Sequence, residues 1–329
     1  MSSMALQRLR NGRSSITMTT PTVHPLRVQS GSAGALAAQA IENGKTTGPL
    51  PGTPVPTRRN RKRVMRRFPI APGVIKSGTE RDLGDIVKIS AIDAYGGLAE
   101  AGVSPTVQAG RYSFQAEAER RILDDILPKL RPEPHHRLLD IGCGAGALLI
   151  PLSYRMAEVV GVDHASAVSL LAARHQRPNM TLIAGAFPDV PIEGTFDRII
   201  AYSVLICLPD LASVTAFSLA AAKLLRPGGR LLLADNPNRD RQRRWAASAA
   251  GRAAEQEWVR LKATLEGDDQ AAKAVEHLSR GDQRGSFSDA ELAALMVEIR
   301  AAGFEAYWVP QAPDLPFGRT REDIVVERV

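Results

Sequence analysis

The chain has 329 residues, 44% hydrophobic content and a formal net charge of +7. That length suffices for one sizeable α/β domain with additions. No apolar run approaches the roughly 20 residues that span a bilayer, so no membrane partner is expected. Only two cysteines occur, Cys143 and Cys207; they exclude a disulfide framework, lack metal-ligand spacing, and fit a reducing cytoplasm. The start lacks a signal-peptide apolar core, which also points to a cytoplasmic location.

The charge is unevenly placed. Residues 1–75 hold twelve Lys or Arg against one acid, Glu42, so the remaining residues carry a net −4. This segment is rich in Ser, Thr, Pro, Gly, Ala and Arg, with a basic cluster from Arg58 to Arg67. It buries too little apolar surface to offset its ordering entropy, so a disordered tail is expected. The cluster reads as a solvated tail or an over-extended start (Met18 is another possible beginning), as a segment that binds nucleic acid or an anionic membrane, or as a transit peptide. The mildly acidic remainder has no nucleic-acid footprint of its own.

Residues 76–111 read as an N-terminal helical extension in which "DIVKISAIDAYGGLAEAGV" supplies a helix or two. "SFQAEAERRILDDILPKL" places Phe114, Ala118, Ile122, Leu123, Ile126, Leu127 and Leu130 on one helical face. Strands and helices then alternate. "RLLDIG" (137–142) is a strand and 145–155 a helix; "AEVVGVD" (157–163) precedes the helix "ASAVSLLAARH"; "MTLIAGA" (180–186) is a strand. "FDRIIAYSVL" (196–205) precedes the helix "DLASVTAFSLAAAKLL", and "RPGG" turns into the strand "RLLLAD" (230–235). Such alternation, with near-continuous apolar strands, predicts a parallel sheet covered on both faces. Charged helical sequence over 238–285 predicts an inserted cap of about two helices. Ser288 and Glu291 form a capping box before "LAALMVEIRAAG", and the strands "FEAYWVP" and "DIVVERV" end the chain with an antiparallel return.

The segment "LLDIGCGAGALL" (138–149) sets three glycines, Gly142, Gly144 and Gly146, between a strand and a helix. Bare backbone there lets a ligand approach, and a helix N-terminus favours an anionic group. Asp163 ends the next strand, where a carboxylate suits a ribose diol. An adenosine-bearing cofactor follows. Gly142, Gly144 and Ala147 formally meet the dinucleotide fingerprint G-x-G-x-x-G/A, so a dehydrogenase is one reading.

The other reading rests on "LLDIGCGAG", "VVGVD", "FDRIIAYSVL" and "LLRPGGRLLL". In these stretches the chain resembles the class I S-adenosylmethionine-dependent methyltransferases, well over 112–237 and in outline over 286–329. The resemblance implies a Rossmann-like, doubly wound α/β fold with a seven-stranded, mostly parallel sheet, its last strand antiparallel, plus a helical cap insertion. The methyltransferase domain would span 112–329, with the cap at about 238–285. The implied cofactor is S-adenosylmethionine, held by the loop from Gly142 through Cys143 and Gly144 to Gly146, with Asp140 near its ammonium group and Asp163 on its ribose. His164 and Phe187 would border adenine. Many relatives carry an acid after the third strand; Ala186 stands there in this chain.

Methyl transfer needs an acceptor lone pair in line with the methyl–sulfur bond, and a base only where the acceptor must lose a proton. An Asn-Pro-Pro-Tyr type motif and a catalytic cysteine pair are both absent, which leaves oxygen methylation of a small-molecule acceptor as the leading reading. Tyr202, Ser203, Asp235 and Asn236 lie at strand carboxyl ends, where open α/β sheets bind ligands. Tyr112 would close over the cofactor. His277 in the cap is a candidate base, with a solvated helix face as the alternative. The cap and "APDLPFGRTREDIVV" are weakly similar to methyltransferases of bacterial polysaccharide pathways, so a sugar acceptor is one expectation; Arg239, Arg241, Arg243 and Arg244 could engage its phosphates, with a solvated helix face as the favoured alternative. An RNA methyltransferase using the basic tail and a non-catalytic cofactor-binding regulator are the alternatives from other classes.

Overall fold

The computed structural model describes residues 88–329; the basic tail read at 1–75, and the first part of the extension, lie outside the described residues. A short strand β1 (Ile89–Ser90) leads into α1 (Ala91–Glu100), α2 (Pro105–Gln108), α3 (Ala116–Glu119) and α4 (Ile122–Leu130). The alternating part follows as β2 (Arg137–Ile141), α5 (Leu149–Ser153), β3 (Glu158–Asp163), α6 (Ala165–Arg174), β4 (Met180–Ala184), β5 (Phe196–Tyr202), α7 (Leu211–Lys223) and β6 (Leu225–Pro237). The cap comprises α8 (Arg239–Ala247), α9 (Ala249–Ala263) and α10 (Asp269–Leu278), and the chain finishes with β7 (Gly281–Asp282), α11 (Asp289–Ala301), β8 (Glu305–Pro310) and β9 (Arg321–Glu327).

The main sheet has seven strands in the order β4-β3-β2-β5-β6-β9-β8. Neighbours from β4 to β6 pair in parallel, whereas β9 runs antiparallel to both β6 and β8. Alternation along the strands divides the core. Leu139 and Ile141 join Ile199, Leu231 and Leu233 beneath α7 and α11, where Val214, Phe217, Leu295 and Ile299 meet them. Leu138 and Ile200 face the opposite layer with Ile126, Leu130, Leu149 and Leu152 of α4 and α5. Both faces are thus apolar, which is why the strand sequences read as near-continuous hydrophobic runs.

Three expectations change in detail. The helix read at 113–130 breaks between α3 and α4, at Arg120 and Arg121, although Ile122, Ile126 and Leu130 are buried as their spacing requires. The cap has three helices rather than two, because Ser248 ends α8 in an extended conformation while its hydroxyl caps α9. The helix read at 145–155 shrinks to the five residues of α5, since Gly146 sits at φ +84°. The capping box at Ser288 forms with both of its reciprocal bonds.

A third, small core joins the extension to the cap: Leu98, Val103 and Val107 pack with Leu278 of α10, and β1 pairs in parallel with β7. No helix among the described residues is long and apolar enough to cross a membrane. Leu139 is fully buried at the sheet centre, so Leu139→Ala is expected to cost about 2–5 kcal/mol, read as a lower midpoint in urea unfolding.

Candidate functional site

Main-chain geometry at the glycine loop separates the three glycines by role. Gly142, Gly144 and Gly146 all have positive φ, at +78°, +52° and +84°. A Cβ on Gly142 would stand 2.6 Å from Val204 Cγ2, and one on Gly146 would stand 2.7 Å from Leu171 Cδ1. Those two are glycine for internal packing as well as for backbone shape. A Cβ on Gly144 would meet nothing within 4 Å, so this is the position that fronts open space. With only five residues, α5 offers no extended helix N-terminus for an anion. The N–H groups of Gly142 and Cys143 donate to the Val162 carbonyl and that of Gly146 to the Cys143 carbonyl.

Two carboxylates flank the loop. Asp163 accepts the Gly144 N–H through Oδ2 at 2.7 Å and the His164 N–H through Oδ1 at 2.6 Å. Burial raises its pKa against the lowering effect of those two bonds. Asp140, at the end of β2, is 2% exposed, and among the described residues no donor pairs with its carboxyl group. Burial, followed by the charge of Asp163, pushes it up to about 7. A buried carboxyl group held near neutrality in this way is short of a cation. Cys143 lies in the core: its sulfur would stand 2.9 Å from a Cβ on Gly161, and burial drives its thiol pKa up. Only its main chain can serve a ligand.

The adenine-side residues are more occupied than their sequence suggests. His164 caps α6, accepting the Ser166 N–H through Nδ1, and its ring lies where a Cβ on Gly96 of α1 would collide. Phe187 packs edge-on against Phe217 at 5.1 Å, and the Ala186 carbonyl accepts the N–H groups of Asp189 and Val190.

At the carboxyl ends of β5 and β6 lies a buried polar cluster. Ser203 and Asp235 both adopt positive φ, +61° and +62°, and the Ser203 hydroxyl donates to Asp235 Oδ2. Arg111 Nη2 approaches the same oxygen at 3.6 Å and Arg111 Nη1 pairs with Glu119 at 3.2 Å. Arg321 Nε lies 3.8 Å from Asp235 Oδ1. Gln311 Nε2 donates to the Tyr202 hydroxyl at 3.2 Å; Asp323 accepts the Asp235 N–H at 2.9 Å and pairs with Lys129 at 2.7 Å. Burial raises the Tyr202 phenol, reinforced by Asp235, and pushes Asp323 up to about 6. Tyr95 of α1 reaches in toward Cys207, its phenol raised mainly by burial.

Tyr202, Ser203 and Asp235 are thus brought together. Asn236 is fully buried; its amide donates to the carbonyls of Leu233 and Glu322 where β6 bulges against β9, and its Oδ1 has no hydrogen-bond partner among the described residues. His277 makes its close contact with α1, its Nδ1 2.8 Å from the place of a Cβ on Gly97, and among the described residues it contacts neither Tyr202 nor Asn236. Tyr112 stacks on Phe114 at 5.3 Å and meets Trp258 of α9 edge-on at 5.5 Å, which joins the segment before α3 to the cap. Arg239, Arg241, Arg243 and Arg244 pair with Glu291, Glu322, Asp240 and Asp289 respectively. Sequence reading missed Tyr95, Arg111, Gln311 and Arg321. Only Tyr95 carried a signal, its place beside the glycine pair in "AYGGL".

The raised pKa of Asp140 has a measurable consequence. The native state keeps a proton that the unfolded chain releases near pH 4, so stability falls as pH rises from about 4 to 7. Asp140→Asn removes this loss. Its stability advantage over the parent is expected to grow across that window and level off above it, in urea unfolding at pH 4.5, 6 and 8; an equal difference at all three would contradict the assignment.

A methyltransferase-domain family model matches residues 138–229. Nocamycin O-methyltransferase of Saccharothrix syringae is 31% identical over 200 residues, which cover 58% of this chain and 65% of that protein. Ubiquinone biosynthesis O-methyltransferase of Nitrobacter winogradskyi is 32% identical over 144 residues, covering 43% and 52%. The chain therefore spans between about half and two thirds of the length of these relatives. Among solved structures, magnesium protoporphyrin IX methyltransferase from Synechocystis aligns with a TM-score of 0.45 at 17% identity, over 72% of this chain and 94% of that one. Residues 138–229, which carry the glycine loop, Asp140 and Asp163, match the methyltransferase-domain family.

Proposed function

We propose that this chain transfers a methyl group from S-adenosylmethionine to an oxygen of a small-molecule acceptor, a sugar or another metabolite. The observation that carries the reading is the pair of carboxyl groups at the loop, Asp140 buried without a partner and Asp163 bonded to the Gly144 N–H. The residues fit the cofactor on chemical grounds. Its ammonium group supplies the cation that Asp140 lacks, and the open position at Gly144 leaves room for its amino-acid end. Each Asp163 oxygen accepts one backbone N–H and keeps acceptor capacity for a ribose hydroxyl. The O-methyltransferase names of the two relatives support oxygen as the accepting atom.

When bound, the cofactor supplies an electrophilic methyl group on a sulfonium. The chain has to align an acceptor with it and keep water away, which carries much of the rate for a charge-neutralising transfer. Tyr202 and Ser203, at the end of β5, stand one strand from Asp140 (Asp140 pairs with Ile200). The Tyr202 phenol stays protonated at neutral pH, so it orients an acceptor as a donor and takes no proton from one.

Titration calorimetry with S-adenosylmethionine and S-adenosylhomocysteine tests the first half of this reading. Asp163→Ala is expected to weaken binding by about tenfold or more, the worth of a charge-assisted hydrogen bond. Gly144→Val should weaken it too, by filling the open position. Absence of binding by the parent protein would remove the reading.

A further inference from the structure

We propose that the acceptor is a carboxylic acid, held through its ionised oxygens by Arg111 and Arg321 at the ends of β5 and β6, and that one of those oxygens receives the methyl group. This rests on the methyl-transfer reading and narrows it.

The first argument is the supply of donors. Arg111 and Arg321 are 7% and 6% exposed, and both reach Asp235; Arg111 also pairs with Glu119 and donates to the Ser203 hydroxyl at 3.4 Å, and Arg321 donates to the Asp235 carbonyl at 3.4 Å. Their approaches to Asp235, 3.6 Å and 3.8 Å, are well beyond the roughly 2.7–2.9 Å of a close guanidinium–carboxylate bond. Arg111 Nε is buried with no partner among the described residues. Leaving the Arg111 Nε donor unmatched, and both guanidinium groups at long range from Asp235, is costly away from water, and a further carboxylate is a group whose geometry matches them. The location is suitable as well. Ser203 precedes Val204, whose methyl packs against Gly142, so the cluster adjoins the glycine loop. Non-glycine residues at positive φ, here Ser203 and Asp235, gather at sites where strain is retained for function.

The second argument is the lack of a base. A hydroxyl acceptor must lose a proton as it reacts. Every carboxylate in the cluster is held by a cation: Asp235 by Arg111 and Arg321, Glu119 by Arg111, Asp125 and Asp323 by Lys129. Burial raises both phenols, Tyr95 and Tyr202, and among the described residues no histidine pairs with these groups. A carboxylate needs no base. Its oxygen lone pair forms the O–CH3 bond as the S–CH3 bond breaks and that bond's pair stays on sulfur. The acceptor's negative charge and the sulfonium's positive charge cancel, and no proton moves. The surroundings indicate the rest of the molecule. Phe317 lies 4.6 Å beneath the Arg321 guanidinium and 5.9 Å from Trp258, and Trp258 also meets Phe114 at 5.2 Å. An apolar or aromatic body suits that wall.

The test uses the full chain saturated with S-adenosylhomocysteine, and titrates benzoate and cinnamate against benzamide, cinnamamide and phenol by ligand-observed NMR. The acids are expected to bind about tenfold or more tighter than the amides. Arg111→Gln and Arg321→Gln should abolish that preference while S-adenosylhomocysteine affinity stays at the parent value. Asp235→Asn, which removes the competing internal carboxylate, should raise acid affinity severalfold and so reads the same contact in the opposite direction. With methyl-labelled S-adenosylmethionine, label should enter the acids as methyl esters. Equal binding of acids and amides, a preference that survives both arginine replacements, unchanged or lower acid affinity in Asp235→Asn, or labelling of phenol in place of the acids would each overturn the proposal. Failure of the parent to bind S-adenosylhomocysteine would instead overturn the methyl-transfer reading beneath it.

Discussion

The Asp163 carboxylate bonded to the Gly144 N–H at 2.7 Å couples the end of β3 to the loop that leaves β2. Much of the site follows from this bond. It holds Gly144 in its left-handed conformation, and the loop's other turns set Gly142 against Val204 and Gly146 against Leu171. The second Asp163 oxygen takes the His164 N–H, which fixes the start of α6 and leaves the His164 ring facing α1. A carboxylate that accepts two backbone N–H groups is a strong local organiser. Its charge also reaches Asp140, and with burial it leaves that carboxyl group prepared for a cation.

The strand ends one step along the sheet solve a different problem. Buried ion pairs are weak sources of stability, because desolvation offsets their attraction. Here a chain of them runs from Glu119 through Arg111 and Asp235 to Arg321, with Lys129, Asp125 and Asp323 alongside. Asn236 stitches the bulge that lets β6 bend at Asp235. The arrangement makes sense as positioning: charged groups at fixed places in a site sheltered from water.

The fold was legible because its signals are periodic. Residues 137–235 announce a parallel sheet through apolar runs, and Leu138 and Leu139 divide between two layers as alternation requires. Asp140, Gly144, Asp163 and Tyr202 were legible because strand ends and the loop between them are marked in the sequence. What sequence could not show was side-chain traffic between distant segments. Arg111 lies in a turn after α2 and Arg321 at the start of β9, and no local pattern says that both meet Asp235. For the same reason the partners of the cap arginines, Glu291, Glu322, Asp240 and Asp289, were not legible. Helix lengths erred where one residue decides: Gly146 for α5 and Ser248 for the cap.

Gly96 and Gly97 sit side by side in α1, and each makes room for an imidazole, His164 from the start of α6 and His277 from the cap. The same helix sends Tyr95 toward Cys207 and the arginines. One turn of α1 is therefore a common keystone for the start of α6, the cap and the Tyr95 phenol, so that a side chain added at Gly96 or Gly97 would be felt beyond the helix that carries it.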